Sequence, residues 1–140
     1  MNKEIILKSQ IETAISERNS RNIKMAVFTM IQETIGKFDV GRSADIKAAV
    51  AEALENVIQH AYQSEKGRVE IYINVYDDKS FDIKVRDFGC GIKNIKKARE
   101  PLFTTKEGRL GMGFGFMEAF SKNVTVESAP EEGTTVTLEF

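Results

Sequence analysis

The stretch Val69-Glu70-Ile71-Tyr72-Ile73-Asn74-Val75, followed after Tyr76 by Asp77-Asp78-Lys79-Ser80 and then by Phe81-Asp82-Ile83-Lys84-Val85, decides the fold. In both flanks apolar side chains alternate with polar ones, the period of a strand with one face on a core. The polar tetrapeptide between them has the composition of a hairpin turn, so the two strands are antiparallel. Upstream, Ile46, Ala49, Val50, Ala53, Leu54, Val57, Ile58 and Ala61 form a broad stripe at helical spacing. Ser43 is the expected cap of that helix, after a connector from Gly36 to Arg42. A further helix is expected from Asn19 or Ser20, with Ile23, Val27, Met30, Ile31 and Ile35 on its inner face, and a strand before it through Ile11, Thr13 and Ile15. Downstream, the glycine-punctuated region from Asp87 to Gly113 is expected to hold a short helix near Ile95 to Arg99. A second helix is expected from about Gly113 to Ser121, and Val124 to Ser128 and Thr134 to Phe140 form a closing hairpin around Pro130-Glu131-Glu132-Gly133. Strands and helices segregated in this order predict helices on one face of a mainly antiparallel sheet, a two-layer α+β sandwich.

The bulk properties narrow the function. A chain of 140 residues fits one domain, here taken as 1–140. With 20 basic and 21 acidic side chains the formal net charge is -1, so there is no overall basic field to draw in nucleic acid or an anionic membrane. The single cysteine, Cys90, excludes an internal disulfide framework and a CxxC metal site. Neither a signal-peptide core nor a run of ~20 apolar residues is present, so the expected location is the cytoplasm.

Three constellations carry chemistry. Glu52 and Asn56 are four residues apart on the long helix and stack on one face, with Glu55 and Gln59 a second such pair. A carboxamide beside a carboxylate suits magnesium, which takes few protein ligands and keeps water and phosphate oxygens. Alone, the same pattern also describes a solvated helix face. Asp87-Phe88-Gly89-Cys90-Gly91-Ile92 follows an apolar strand. Its aspartate can accept from an exocyclic amine, and its glycines let backbone approach a ligand; a simple glycine turn reads equally well. Gly111-Met112-Gly113-Phe114-Gly115 opens a helix whose first amides can hold phosphate. Phe116 stands where a dinucleotide fingerprint needs its third glycine, and no GxxxxGK[ST] motif exists.

In this order and spacing the three resemble the gyrase, heat-shock-chaperone and histidine-kinase ATPase superfamily. Val50-Ala51-Glu52-Ala53-Leu54-Glu55-Asn56-Val57-Ile58-Gln59-His60-Ala61-Tyr62 further resembles the helix motif of the sporulation anti-sigma-F factors, the stage II sporulation protein AB family. So do Pro101-Leu102-Phe103-Thr104-Thr105-Lys106, Gly111-Met112-Gly113-Phe114 and Pro130-Glu131-Glu132-Gly133-Thr134-Thr135, and the likeness runs from about Gln10 to the end. It implies a Bergerat-type ATP-binding fold, with helices on one face of a mixed, mainly antiparallel sheet. It implies a homodimeric serine kinase that uses ATP and magnesium, holds a sigma factor inactive and phosphorylates a serine of an anti-anti-sigma protein.

By that resemblance Glu52 is the general base and Asn56 the magnesium ligand. Asp87 reads the adenine amine with Gly89, Gly91, Ile92 and Thr134 around it. Gly111, Met112, Gly113 and Phe114 hold phosphate, under a lid from Ile95 to Leu110 bearing Thr105, Lys106 and Arg109. The chain departs from the family in a shorter stretch between Lys106 and Gly111, in Gly115 for a bulkier residue, and in Lys24 for an arginine that faces the sigma factor. Two other readings stand beside this one: a sigma-sequestering module with little kinase activity, and a stand-alone histidine-kinase-like ATPase. The methionines Met25, Met30, Met112 and Met117 are expected in the core or lining a pocket, and the phenylalanines Phe114, Phe116 and Phe120 in the core rather than on a recognition surface; His60 is expected to be structural or partly exposed.

Overall fold

The computed structural model describes residues 3–62, 67–89 and 110–140. The short helix expected near Ile95 to Arg99, the lid, and Cys90 lie outside the described residues, as does the His60 side chain. Strand β1 spans Ile5–Ile15, helix α1 Ser20–Ile35 and helix α2 Val40–Asn56, which runs on into a π-helical turn at Val57–Ala61. Strands β2 (Gly67–Tyr76) and β3 (Phe81–Asp87) follow, then helix α3 (Leu110–Phe120) and strands β4 (Asn123–Ala129) and β5 (Gly133–Glu139). The five strands lie in the order β1-β2-β3-β5-β4, and every pairing among them is antiparallel.

The alternation in the central hairpin becomes two faces. Val69, Ile71, Ile73 and Val75 of β2 and Phe81, Ile83 and Val85 of β3 are buried, whereas Lys84 and Arg86 are exposed. The turn closes through Tyr76 N–H to Ser80 C=O at 2.9 Å, and the Asp78 carboxylate accepts from Ser80 N–H at 2.9 Å. The inner face is covered by α1, α2 and α3, with α2 in the middle packed on both other helices. Its stripe of Ile46, Ala49, Val50, Ala53, Leu54, Val57 and Ile58 is almost wholly buried. Each Val, Leu or Ile in that stripe, taken from water, contributes roughly 1.5–3 kcal/mol.

Boundaries and caps differ from the pattern reading in several places. Helix α2 starts at Val40 rather than after Ser43: Asp39, in extended backbone, caps it by accepting from Arg42 N–H at 2.7 Å. Asn19 sits at the N-cap position of α1 but makes no side-chain cap. It turns back instead, donating to Ala14 C=O at 2.8 Å and accepting from Ser16 N–H at 3.0 Å, which fixes the turn between β1 and α1. Strand β1 begins at Ile5, six residues before Ile11, and a register shift between Ile5 and Leu7 interrupts the alternation that would have marked its start. At the end of α1, Gly36 takes φ +114° and donates to Gln32 C=O at 2.8 Å, a backbone that side-chain-bearing residues rarely adopt. Phe38 in the connector then joins Phe28 to Phe81, at ring distances of 5.9 and 6.0 Å, and Phe81 stacks on Phe140 at 4.9 Å.

One expectation about core residues is corrected. Phe116 is 44% exposed and stacks on its neighbour Phe120; of the described α3 side chains, Phe114 and Met117 are the ones turned fully inward. Met25, 38% exposed, is not in the core but lines a shallow surface pocket on α1 with Met30, as one of the two expected settings allowed.

Candidate nucleotide-binding site

The inward row of β3 runs Phe81, Ile83, Val85, Asp87, so the strand period places a carboxylate in the last core-facing position. Asp87 is 5% exposed. Gly89 N–H donates to its Oδ1 at 3.0 Å and Thr134 N–H at 3.1 Å. Burial pushes the carboxyl above its ordinary range, and these two backbone donors pull it partly back. Among the described residues Oδ2 accepts no hydrogen bond. Thr134 is itself buried, and its hydroxyl lies 2.7 Å from that of Ser128. The Ser128 hydroxyl also donates to Gly133 C=O at 3.0 Å, so the β4–β5 turn that carries Thr134 is braced.

Close backbone contacts build the floor around this carboxylate. A Cβ on Gly89 would stand 2.4 Å from the Ala61 carbonyl oxygen, so the chain leaving β3 presses against the π-helical turn. A Cβ on Gly133, at φ +83°, would stand 2.3 Å from the Asp87 carbonyl oxygen. The π-helical turn therefore brings the end of the α2 segment onto the end of the inner hairpin. Such turns occur mostly as single insertions and frequently at functional sites.

Glu52 and Asn56 lie one turn apart on α2, both half-buried. The Asn56 carboxamide nitrogen is buried and has no hydrogen-bond partner among the described residues. A buried amide left unpaired costs about 1–3 kcal/mol, so this group is built to meet a partner the described residues do not supply. The Gln59 amide donates to Glu55 at 3.1 Å and to Glu17 at 3.3 Å, so the second polar pair ties α2 to the β1–α1 turn. The helix that opens with the glycine motif starts at Leu110 rather than Gly113, which places Gly111, Met112 and Gly113 in the first turn of α3. That turn carries N–H groups that a helix cannot satisfy internally. Phe114 is 1% exposed, so its side chain packs the helix onto the core. Gly91, Ile92, Thr105, Lys106 and Arg109 lie outside the described residues.

Tyr62, which no sequence motif singles out for a role, is tied into the same corner. Its hydroxyl donates to Arg68 C=O at 2.5 Å and accepts from Phe88 N–H at 2.8 Å. Its place directly after the polar end of α2 was the available signal, since a tyrosine has an apolar ring and a tip that needs a partner when partly buried. On the outer sheet face Arg68 and Arg86 lie over the Phe88 ring at 4.9 and 4.8 Å. The Tyr72 hydroxyl and then Arg68 hold the Glu70 carboxyl below its usual range. No helix among the described residues is long and apolar enough to cross a membrane.

Residues 16–140 match the family model described as histidine kinase-like ATPase domain. An anti-sigma F factor of Caldanaerobacter subterraneus is 40% identical over 125 residues, 88% of this chain and 83% of that protein. One from Oceanobacillus iheyensis is 38% identical over 135 residues, 93% of this chain and 90% of that protein. Among solved structures, the RsbU and RsbW domains of Rv1364c from Mycobacterium tuberculosis match with a TM-score of 0.66 at 20% identity, covering 95% of this chain and 32% of that one. That last likeness bears on the fold alone.

Proposed function

This chain belongs to the histidine kinase-like ATPase domain family and, within it, to the anti-sigma F factors, and from that membership we propose how its residues divide the work. The protein binds and inhibits a sigma factor, and it is an ATP-dependent kinase that phosphorylates a serine of its anti-anti-sigma partner. The observation that carries the residue assignment is the corner around Asp87: a buried carboxylate held by two backbone N–H groups on Oδ1, with Oδ2 left to accept. An exocyclic amine such as that of adenine is the donor this arrangement suits. Gly91, Ile92 and Thr134 complete the adenine pocket in this reading, and the first turn of α3 holds phosphate through Gly111, Met112 and Gly113. Thr105, Lys106 and Arg109 contact the phosphates from the lid.

Asn56 is the proposed magnesium ligand. The ion would be held by the carboxamide oxygen, while the buried, unpartnered nitrogen beside it is a donor that suits a phosphate oxygen arriving with the nucleotide. Magnesium binds through one or two protein ligands and completes its shell with phosphate oxygens and water, so one asparagine suffices. When bound, the ion neutralises charge on the phosphates. Glu52, one turn earlier on the same helix, takes the proton of the attacking serine hydroxyl. Phosphoryl transfer asks mainly for positioning and charge neutralisation, which the α2 pair and the α3 amides divide between them. A homodimer in the cytoplasm completes the proposal; sedimentation equilibrium is the direct check of the first part.

The test is incubation with magnesium, labelled ATP and the anti-anti-sigma proteins of the same genome, with Glu52→Ala alongside. Label on a serine is expected to fall by about 10²–10⁴-fold in the variant, the range of a general base, while ATP still binds. Wild-type phosphorylation by the variant removes Glu52 from this role. ATP binding and sigma capture with no label on any partner turns the reading to a sequestering module.

A further inference from the structure

The register of the central hairpin shows what Tyr62 is doing. Tyr76 and Ser80 form a hydrogen-bonded pair, and in an antiparallel ladder such pairs recur at every second position. Asn74↔Asp82, Tyr72↔Lys84 and Glu70↔Arg86 follow, and the next rung would join Phe88 N–H to Arg68 C=O. At that step the Tyr62 hydroxyl stands between the two groups, 2.8 Å from the first and 2.5 Å from the second. A phenol is wedged where the last rung belongs. On the other edge of β3 the pairing with β5 runs to Arg86↔Thr135, and one step on, Thr134 N–H donates to the Asp87 side chain. Two side chains, the Tyr62 phenol on one edge of β3 and the Asp87 carboxylate on the other, thus finish the two ladders at the same level.

The wedge is built, not incidental. A Cβ on Gly67 would stand 2.3 Å from a ring carbon of Tyr62, so glycine is what admits the ring at the start of β2. Burial, the largest of several influences on it, pushes the Tyr62 phenol up from a value already well above neutrality, so it is a donor at neutral pH. Phe88, whose N–H the hydroxyl holds, is gripped from the outer face by two guanidinium groups.

We propose that Tyr62 is a positioning residue for nucleotide recognition: its hydroxyl, between Arg68 C=O and Phe88 N–H, sets the course of the chain leaving β3 and so aims Asp87 Oδ2 at the base. This rests on the reading of Asp87 as the acceptor for the adenine amine. Tyr62 touches no nucleotide itself; it acts through Phe88 and Gly89 on the carboxylate.

The experiment is nucleotide binding by the full chain with magnesium, comparing ATP with purine riboside triphosphate, which lacks the 6-amino group. Tyr62→Phe keeps the ring and removes the hydroxyl. It is expected to lower ATP affinity about 3- to 10-fold, the range of one or two neutral hydrogen bonds. Affinity for the analogue changes less, so the preference for ATP narrows, and in turnover KM rises more than kcat falls. Equal weakening of both nucleotides, or no change in either, overturns the proposal. Asp87→Asn separates it from its premise: if that variant keeps the wild-type preference, Asp87 is not the reader and both ideas fail. If Asp87→Asn abolishes the preference and Tyr62→Phe leaves it intact, only the role of Tyr62 fails. A third measurement needs no variant. The Phe88 amide proton of the wild type is expected to exchange slowly with solvent, and exchange at the rate of an open chain would overturn the wedge.

Discussion

Placing a methyl group at Gly89 tests the corner on which the site is built. The added Cβ would stand 2.4 Å from the Ala61 carbonyl oxygen, 2.6 Å from its Cβ and 2.7 Å from its carbonyl carbon. Two of those atoms are backbone in the π-helical turn, so no flexible side chain can swing away; either that turn or the exit of β3 must move. Overpacking of this kind costs about 1–3 kcal/mol. With ~2.1 cal/mol/K of unfolding entropy per residue and 140 residues, that lowers the melting temperature by about 3–10 °C. Moving the exit also lengthens the 3.0 Å bond from Gly89 N–H to Asp87, so ATP affinity falls together with stability. Gly115 is the internal control. It lies inside α3, and a Cβ added there would meet nothing within 4 Å; replacing a helical glycine by alanine gains roughly 0.5–1 kcal/mol. Thermal unfolding and ATP titration of Gly89→Ala and Gly115→Ala should therefore move in opposite directions in stability. A Gly89→Ala protein that melts with the wild type and binds ATP as tightly would refute the close packing of β3 on the π-helical turn.

Asp87→Asn is expected to stabilise the nucleotide-free protein while weakening ATP binding. The folded carboxyl is raised by burial, so the folded chain holds its proton more tightly than the unfolded one. Stability from that proton is complete below the unfolded value and is lost as pH rises through the folded value. The advantage of the variant should accordingly open across that window and then level off, which urea melts at a series of pH values can follow; an advantage independent of pH counts against it. At the start of α2, Asp39→Ala removes the cap on Arg42 N–H and should cost about 0.5–2 kcal/mol in chemical denaturation, with Asp39→Ser recovering most of it.

Much of this architecture is written in local pattern. The alternation on either side of Asp77 to Ser80 yields β2, β3 and the turn between them, because strand period and turn chemistry are both short-range. The stripe from Ile46 to Ile58 yields α2 for the same reason. The start of α2 was harder: Val40 is 88% exposed and is followed by glycine, so the first turn looks like loop until the Asp39 cap is seen. In β1 the consecutive Ile5, Ile6 and Leu7 hide a strand whose alternation is broken by its own register shift. The π-helical turn carries no composition signal, since Val57 to Ala61 would serve an α-helix equally well. Of the site, Asp87 could be placed from strand period alone, as the next inward residue after Val85. Tyr62 could not, because its partners are two backbone groups whose proximity depends on the register of other strands.

The order of the strands has a kinetic consequence. β2 and β3 are joined by a tight turn and can pair as soon as they are made, whereas Ile5 must find Tyr76 across a loop that contains both α1 and α2. Closing long loops before their contacts reward them is what slows folding in chains rich in distant pairings. The hairpin and α2 are therefore expected in the folding nucleus, and β1, at the edge of the sheet, among the last elements to dock. Substitutions on β1 should accordingly speed unfolding more than they slow folding.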